Sequence, residues 1–318
     1  MLYKASAPGS LMLLGEYAVL YGKSALVCAV NKRITVSLQP RGDKEIHIHS
    51  SKHGVMKTTL TKIEIARPFQ FVLAALKGSH LKTGCDINIE SEFSDQVGLG
   101  SSAAVTVATL AAIYTWQNIS VNPLNLLRDA RRIIRQVQGL GSGADAAAAV
   151  YGGMVAYHAQ PLTAEKLPAL CPISLVYSGA KTPTVEAVKH VQTAFTPFPD
   201  LFQQICKGIN ACAQSGIAAA RRENWAELAA AMNIQQGFMH ALGVNTPVLQ
   251  GLVDNLRLDA TILGAKISGS GLGDCVVALG STNREFAQRI AVEMDAQGVR
   301  TMQDDDRVAG IFLKEMPR

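Results

Sequence analysis

The sequence predicts a chain of mixed α and β structure in two parts, broken near residue 170. Three observations carry that reading. Residues 3–40 and 44–60 alternate apolar and polar positions at strand spacing. Residues 184–258 read instead as helices, with alanine-rich amphipathic segments around 201–221 and 224–242. Glycine-rich stretches at 98–104, 139–143 and 269–273 punctuate the junctions between elements.

Composition bounds the class. At 318 residues, 48% hydrophobic and 17% charged, the chain can build a sizeable globular core. No stretch approaches the ~20 apolar residues that cross a bilayer. The first residues, Met1-Leu2-Tyr3-Lys4-Ala5, form no signal-like apolar region, so a cytoplasmic protein with no membrane partner is expected. The six cysteines (28, 85, 171, 206, 212 and 275) form no Cys-x-x-Cys pair and read as buried thiols. The net charge of +5 is mild, and its basic residues are dispersed apart from Arg131-Arg132 and Arg221-Arg222. That pattern suits a small anionic substrate and not nucleic acid.

The elements follow in order. Residues 3–40 read as strand, turn, strand, with Glu16 standing alone inside an apolar run, either paired in a site or capping a turn. In 44–60, His47 and His49 fall opposite Ile46 and Ile48 and are expected on an exposed polar face. Residues 66–83 read as a helix, and Ile87 and Ile89 as a strand leading into the first glycine stretch. A helix follows from Ser101 to about Trp116. The next starts at Asn122-Pro123, a cap followed by proline in the first helical position, and runs to about Val137. Asp145 then stands where a flexible loop meets an alanine-rich helix; it is either that helix's cap or a general base held at a helix start. Ile173, Leu175 and Val176 mark a strand. The third glycine stretch leads into another, a helix is expected over 282–297, and Ile311-Phe312-Leu313 is expected to close a sheet.

The stretch Val97-Gly98-Leu99-Gly100-Ser101-Ser102-Ala103-Ala104 carries the most chemistry. Its glycines let the backbone turn tightly, and its serines are expected to cap free amides at the helix start. Those amides and the helix dipole suit an anion, phosphate above all. The Gly-x-Gly-x-x-Ala spacing also fits a dinucleotide fold, but residues 117–122 lack the acid that would bind ribose. No Gly-x-x-x-x-Gly-Lys-Ser/Thr motif is present.

Taken together, three segments resemble the three ordered motifs of the GHMP small-molecule kinases. They are Ala7-Pro8-Gly9 with Gly15-Glu16-Tyr17-Ala18-Val19, then Gly98–Ala104, then Gly269-Ser270-Gly271-Leu272-Gly273-Asp274-Cys275. The resemblance spans essentially the whole chain. It implies a two-domain α+β fold, with a ribosomal-protein-S5-like domain over 1–170 and a ferredoxin-like domain over 171–318. It also implies ATP and Mg2+ in the cleft between them. Gly98, Leu99, Gly100, Ser101, Ser102 and Ala103 match the phosphate cradle, and Ser102 the magnesium-contacting serine. Asp145 matches the catalytic aspartate and Thr184 a threonine that holds the reacting groups. Ser10, Glu16, Tyr17, Gly269, Ser270 and Gly271 are the expected substrate contacts. Within the superfamily the match points to the mevalonate-pathway kinases, acting as monomer or homodimer. Asn233-Ile234-Gln235-Gln236 and Leu242–Pro247 favour mevalonate as the small-molecule substrate. Tyr17 and Gly273-Asp274-Cys275 favour 5-phosphomevalonate.

Two departures stand out. The family's lysine that pairs with the aspartate is Ser10 here, so Lys181 or Lys23 is expected to supply the cation. The position of the family's magnesium-binding glutamate is Ile134 here, so Glu16 or water is expected to join Ser102 in the metal shell. The same two losses would also fit a non-catalytic nucleotide-binding protein, against which the retained Asp145 and Ser102 argue.

Overall fold

The computed structural model of the chain describes residues 1–304. Its first half lays down β1 (Leu2–Leu14), β2 (Ser24–Pro40), β3 (Glu45–Ser50) and β4 (Gly54–Thr59), then helix α1 (Gln70–Gly78) and β5 (Cys85–Ser91). Helices α2 (Ser101–Trp116), α3 (Pro123–Gln138) and α4 (Ala144–Tyr151) follow, then β6 (Met154–Ala159) and β7 (Leu162–Lys166). The second half runs β8 (Ile173–Tyr177), α5 (Thr184–Ala194), α6 (Pro199–Arg221), α7 (Trp225–Ala241), α8 (Pro247–Arg257), β9 (Gly264–Ser268), β10 (Cys275–Leu279), β11 (Arg289–Ile290) and β12 (Arg300–Asp304).

Two sheets result. The first has the order β12-β1-β2-β5-β3-β4, with β6 and β7 continuing from the other half of β2; the second has the order β11-β8-β10-β9. β2 serves two partners because it is long: Ser24–Cys28 pair with β6 and Ile34–Pro40 with β5. Its Ala25–Val30 run is buried on both faces, since α2 and α4 pack against this strand and α6 does too. A continuous apolar run is what a strand covered on both faces requires. The expected split near 170 falls between the two sheets, but β12 returns to pair with β1 (Leu2 with Asp304 through Ser6 with Arg300). The second half is therefore not a consecutive domain over 171–318.

Local chemistry accounts for the helix starts. Asn122 caps α3 by accepting from the Asn125 amide, ahead of Pro123. α2 is buried all round by its alanines and valines, which lets α1, α3 and α4 approach it closely. All six cysteines are buried free thiols. His47 meets Glu45 and His49 meets Asn88, and no cluster of three or more metal-ligating side chains occurs among the described residues. No helix among them is long and apolar enough to cross a membrane.

The helix expected over 282–297 does not form. Tertiary partners claim that backbone first. Asp259 accepts from the Thr282 hydroxyl and the Asn283 amide, Arg289 and Ile290 pair with the edge of β8, and Asp295 bonds to Ala29. Arg33 fastens the rest, donating to the Asp295 carboxylate and to the carbonyls of Gln297 and Gly298. Helix propensity is too weak to resist such a set. The strand expected at Ile311–Leu313 lies outside the described residues.

Candidate active site

The phosphate-loop stretch turns into α2 through two glycines in the left-handed region, Gly98 (φ +68°) and Gly100 (φ +64°). Both are needed sterically as well. A Cβ on Gly100 would lie 2.1 Å from the Ser10 hydroxyl, and one on Gly98 2.9 Å from Asp274. Gly100 itself is the cap residue of α2, and no side chain caps the helix. The serine caps expected from sequence are thus corrected: Ser101 and Ser102 are the first two helical residues. Their amides are left for an incoming anion, at the positive end of a sixteen-residue dipole.

Asp145 is the second residue of α4, whose cap is Gly143, so it is not the cap either. Its carboxylate turns across to β1, where the Ser10 hydroxyl donates to Oδ1 at 2.8 Å. Ser10 in turn is fixed by its amide, which donates to the Leu99 carbonyl at 3.1 Å. One small residue therefore ties the aspartate to the phosphate loop. Burial raises the Asp145 pKa above the usual carboxylate range, and the Ser10 hydrogen bond pulls it part of the way back.

Beside Asp145 lies a small cavity of about 80 Å3 lined by Met12, Glu16, Tyr17, Ser142, Gly269 and Ser270 among others. Tyr17 donates its hydroxyl to the Ser270 carbonyl at 2.5 Å, and the buried Ser270 hydroxyl has no partner. Among the described residues no lysine or arginine lines this cavity. A larger hollow of about 690 Å3, around Asn31, Cys171 and Arg289, contains none of these residues.

Several expected contacts move. Glu16 is no free metal ligand: Lys266 of β9 and Gly269 donate to its Oε1, and Gln235 of α7 donates to Oε2. Lys266 is 0% exposed, and burial lowers its pKa against the pull of Glu16. Gln235 also accepts from the Gly15 amide at 3.0 Å, and the Ser268 hydroxyl from that of Met12 at 3.1 Å. This buried network stitches the first sheet to the second. Lys181 does not reach Asp145. Its ammonium donates to the Asp95 carbonyl, and its charge acts on Asp274. Lys23 lies beside Cys206 of α6, also away from Asp145. Gly271 packs against Val244 and does not line the cavity, whereas Gly269 and Ser270 do. Thr184 opens α5 on the surface, one turn before Val188, which lines the cavity. Ile134, where the family's glutamate is missing, is buried in the apolar core.

Sequence reading missed that Lys266 and Gln235 bind Glu16. The signal was a lysine inside an otherwise apolar strand, Ala265-Lys266-Ile267, a position that demands a buried counter-charge.

Comparison with known proteins shows the family of the chain. The family model for the N-terminal domain of GHMP kinases matches residues 65–153, and that for the C-terminal domain matches 217–299. The chain is 30% identical to the mevalonate kinase of Pyrococcus furiosus over 311 residues, covering 91% of this chain and 92% of that protein. It is 31% identical to the mevalonate kinase of Methanothermobacter thermautotrophicus over 281 residues, 86% and 89% of the two chains. Among solved structures, the mevalonate kinase of Methanococcus jannaschii superposes with a TM-score of 0.72. It is 25% identical and covers 88% of this chain and 90% of that one.

Proposed function

We propose that this chain, which belongs to the GHMP kinase family, transfers the γ-phosphoryl group of ATP to the 5-hydroxyl of mevalonate. The observation that carries the reading is the placement of the Asp145 carboxylate between the phosphate loop and a small cavity. The relatives named above support mevalonate as the acceptor. A phosphorylated acceptor would bring further negative charge to a cavity that no lysine or arginine lines among the described residues.

Phosphoryl transfer needs positioning and charge stabilisation more than covalent chemistry. The backbone of Gly98–Gly100 and the open amides of Ser101 and Ser102 cradle the phosphates. The acceptor lies in the cavity between Asp145 and Ser270, whose free hydroxyl is available to it. As the acceptor oxygen bonds to the γ-phosphorus and the bond to ADP breaks, Asp145 takes the hydroxyl proton. Its raised pKa brings it nearer to neutrality, where a general base works best. Ser10 is a positioning residue: it holds Asp145 by a hydrogen bond from an uncharged donor where the family resemblance implies a lysine. Mg2+, when bound, neutralises phosphate charge. The Ser102 hydroxyl, half-buried at the start of α2, fits it, while Glu16, already bonded through both oxygens, does not.

The test is a coupled ADP-release assay with mevalonate and 5-phosphomevalonate in parallel, with Asp145→Asn as the blank. Turnover with mevalonate alone is expected. Turnover confined to 5-phosphomevalonate would overturn the assignment of acceptor, and none with either would overturn the kinase itself.

A further inference from the structure

The third glycine loop ends in a carboxylate that the mechanism above does not use. Asp274 follows Gly273 and precedes β10. Its backbone is pinned on both sides, since its amide donates to Ala180 and its carbonyl accepts from Ser178, each at 2.8 Å. It sits at φ +62°, in the left-handed region. The residue is 6% exposed, and its Oδ1 has no hydrogen-bond partner. That orphan oxygen lies 3.0 Å from the position a Cβ would take on Gly98, so it rests directly on the backbone of the phosphate loop. Its Oδ2 is 4.0 Å from the corresponding point on Gly269, at the edge of the cavity. No lysine or arginine forms an ion pair with it among the described residues, although the charge of Lys181 reaches it.

A buried carboxylate oxygen without a partner is costly, and native chains keep few of them. Placed against a phosphate cradle, it repels the nucleotide unless a cation stands between. Mg2+ is characteristically held in this way, by one or two carboxylates, with water and substrate phosphates filling its octahedron. We propose that Asp274 is a protein ligand of the divalent cation that accompanies the nucleotide, supplying the carboxylate that Ile134 does not. The proposal rests on the kinase reading and deepens it. It also gives a reason for the third glycine loop to end against the first: closing the two on one another brings the metal ligand to the phosphates.

The experiment uses the full chain with Mn2+ as the probe and AMPPNP as a non-hydrolysable nucleotide, reading free Mn2+ by its paramagnetic resonance. Asp274→Asn and Asp274→Gly are the variants, because both residues accept a left-handed backbone and preserve the turn. In each, Mn2+ affinity of the nucleotide complex is expected to fall at least tenfold. AMPPNP binding measured in EDTA should stay unchanged or tighten. Asp274→Cys should shift metal preference from Mg2+ towards the softer Cd2+. Mn2+ held by both carboxylate-free variants as tightly as by the wild type would overturn the proposal. So would an equal loss of nucleotide affinity with and without metal, which would mark Asp274 as a contact of the nucleotide or of Lys181. A wild-type chain that binds no AMPPNP under either condition would sink the kinase reading, and this ligand with it.

Discussion

Glu16 and Asp145 both sit on the border of one small cavity, yet their surroundings are opposite. Glu16 faces an ammonium, an amide side chain and a backbone amide, all in the seam between the sheets. Asp145 has one serine hydroxyl, and Asp274 has no side-chain partner for its Oδ1. Full pairing neutralises a charge and spends it on holding two elements together. An unpaired carboxylate is held in an unfavourable state by the rest of the fold and remains free to take a proton or a cation. The comparison therefore separates scaffold from chemistry around a single small cavity, and it can be broken at each point.

The largest effect should come from the paired side. Lys266→Met strands Glu16 in the seam and should cost about 3–5 kcal/mol of unfolding free energy in denaturant titration. Adding Glu16→Gln should recover part of that loss, because residues in one network do not contribute additively. Additive losses would show that the two do not act as a pair.

Ser10→Ala tests the single hydrogen bond of Asp145. A bond to a charged acceptor is worth enough for about a tenfold fall in turnover. The sign of its pH effect follows from what the bond does. It lowers a pKa that burial has raised, so its loss moves that pKa further up. The reaction needs the carboxylate, so the acid limb of the kcat/KM profile should shift to higher pH in the variant. A shift to lower pH, or none, would remove Ser10 from its positioning role.

The smallest effect concerns stability. Asp274→Asn removes a buried charge whose Oδ1 has no hydrogen-bond partner among the described residues. Burial holds its carboxyl up at about 6. Its loss should raise Tm by about 2 °C without ligand, a gain of roughly 1 kcal/mol, even as metal binding falls. A lower Tm would mean that the carboxylate is satisfied after all.

These contrasts were only partly legible in the sequence. The limits of α2 and the start of α3 could be read from Ser101, Trp116 and Asn122-Pro123, because capping and periodicity are local. Residues 282–297 could not be read, because Asp259, Arg33 and the edge of β8, all distant in sequence, decide that segment. The site divides in the same way. Its first glycine stretch suits an anion at a helix start by local chemistry, and the order of the three stretches carries the resemblance to the kinases. The partner of Glu16 lies 250 positions away at Lys266, and only the packing of the two sheets reveals that it is bound and unavailable to a metal. Asp145 by its local sequence alone suits a helix cap, and only its match to the kinase motif made it a base; the structure gives the cap position to Gly143.

The most direct test is to measure turnover with ATP and mevalonate for Asp145→Asn beside its thermal unfolding. The account predicts turnover reduced at least ~100-fold, the usual minimum for a lost general base, with Tm unchanged or higher. Turnover within tenfold of wild type, or a chain that no longer folds, would place Asp145 with Glu16 in the scaffold and contradict it.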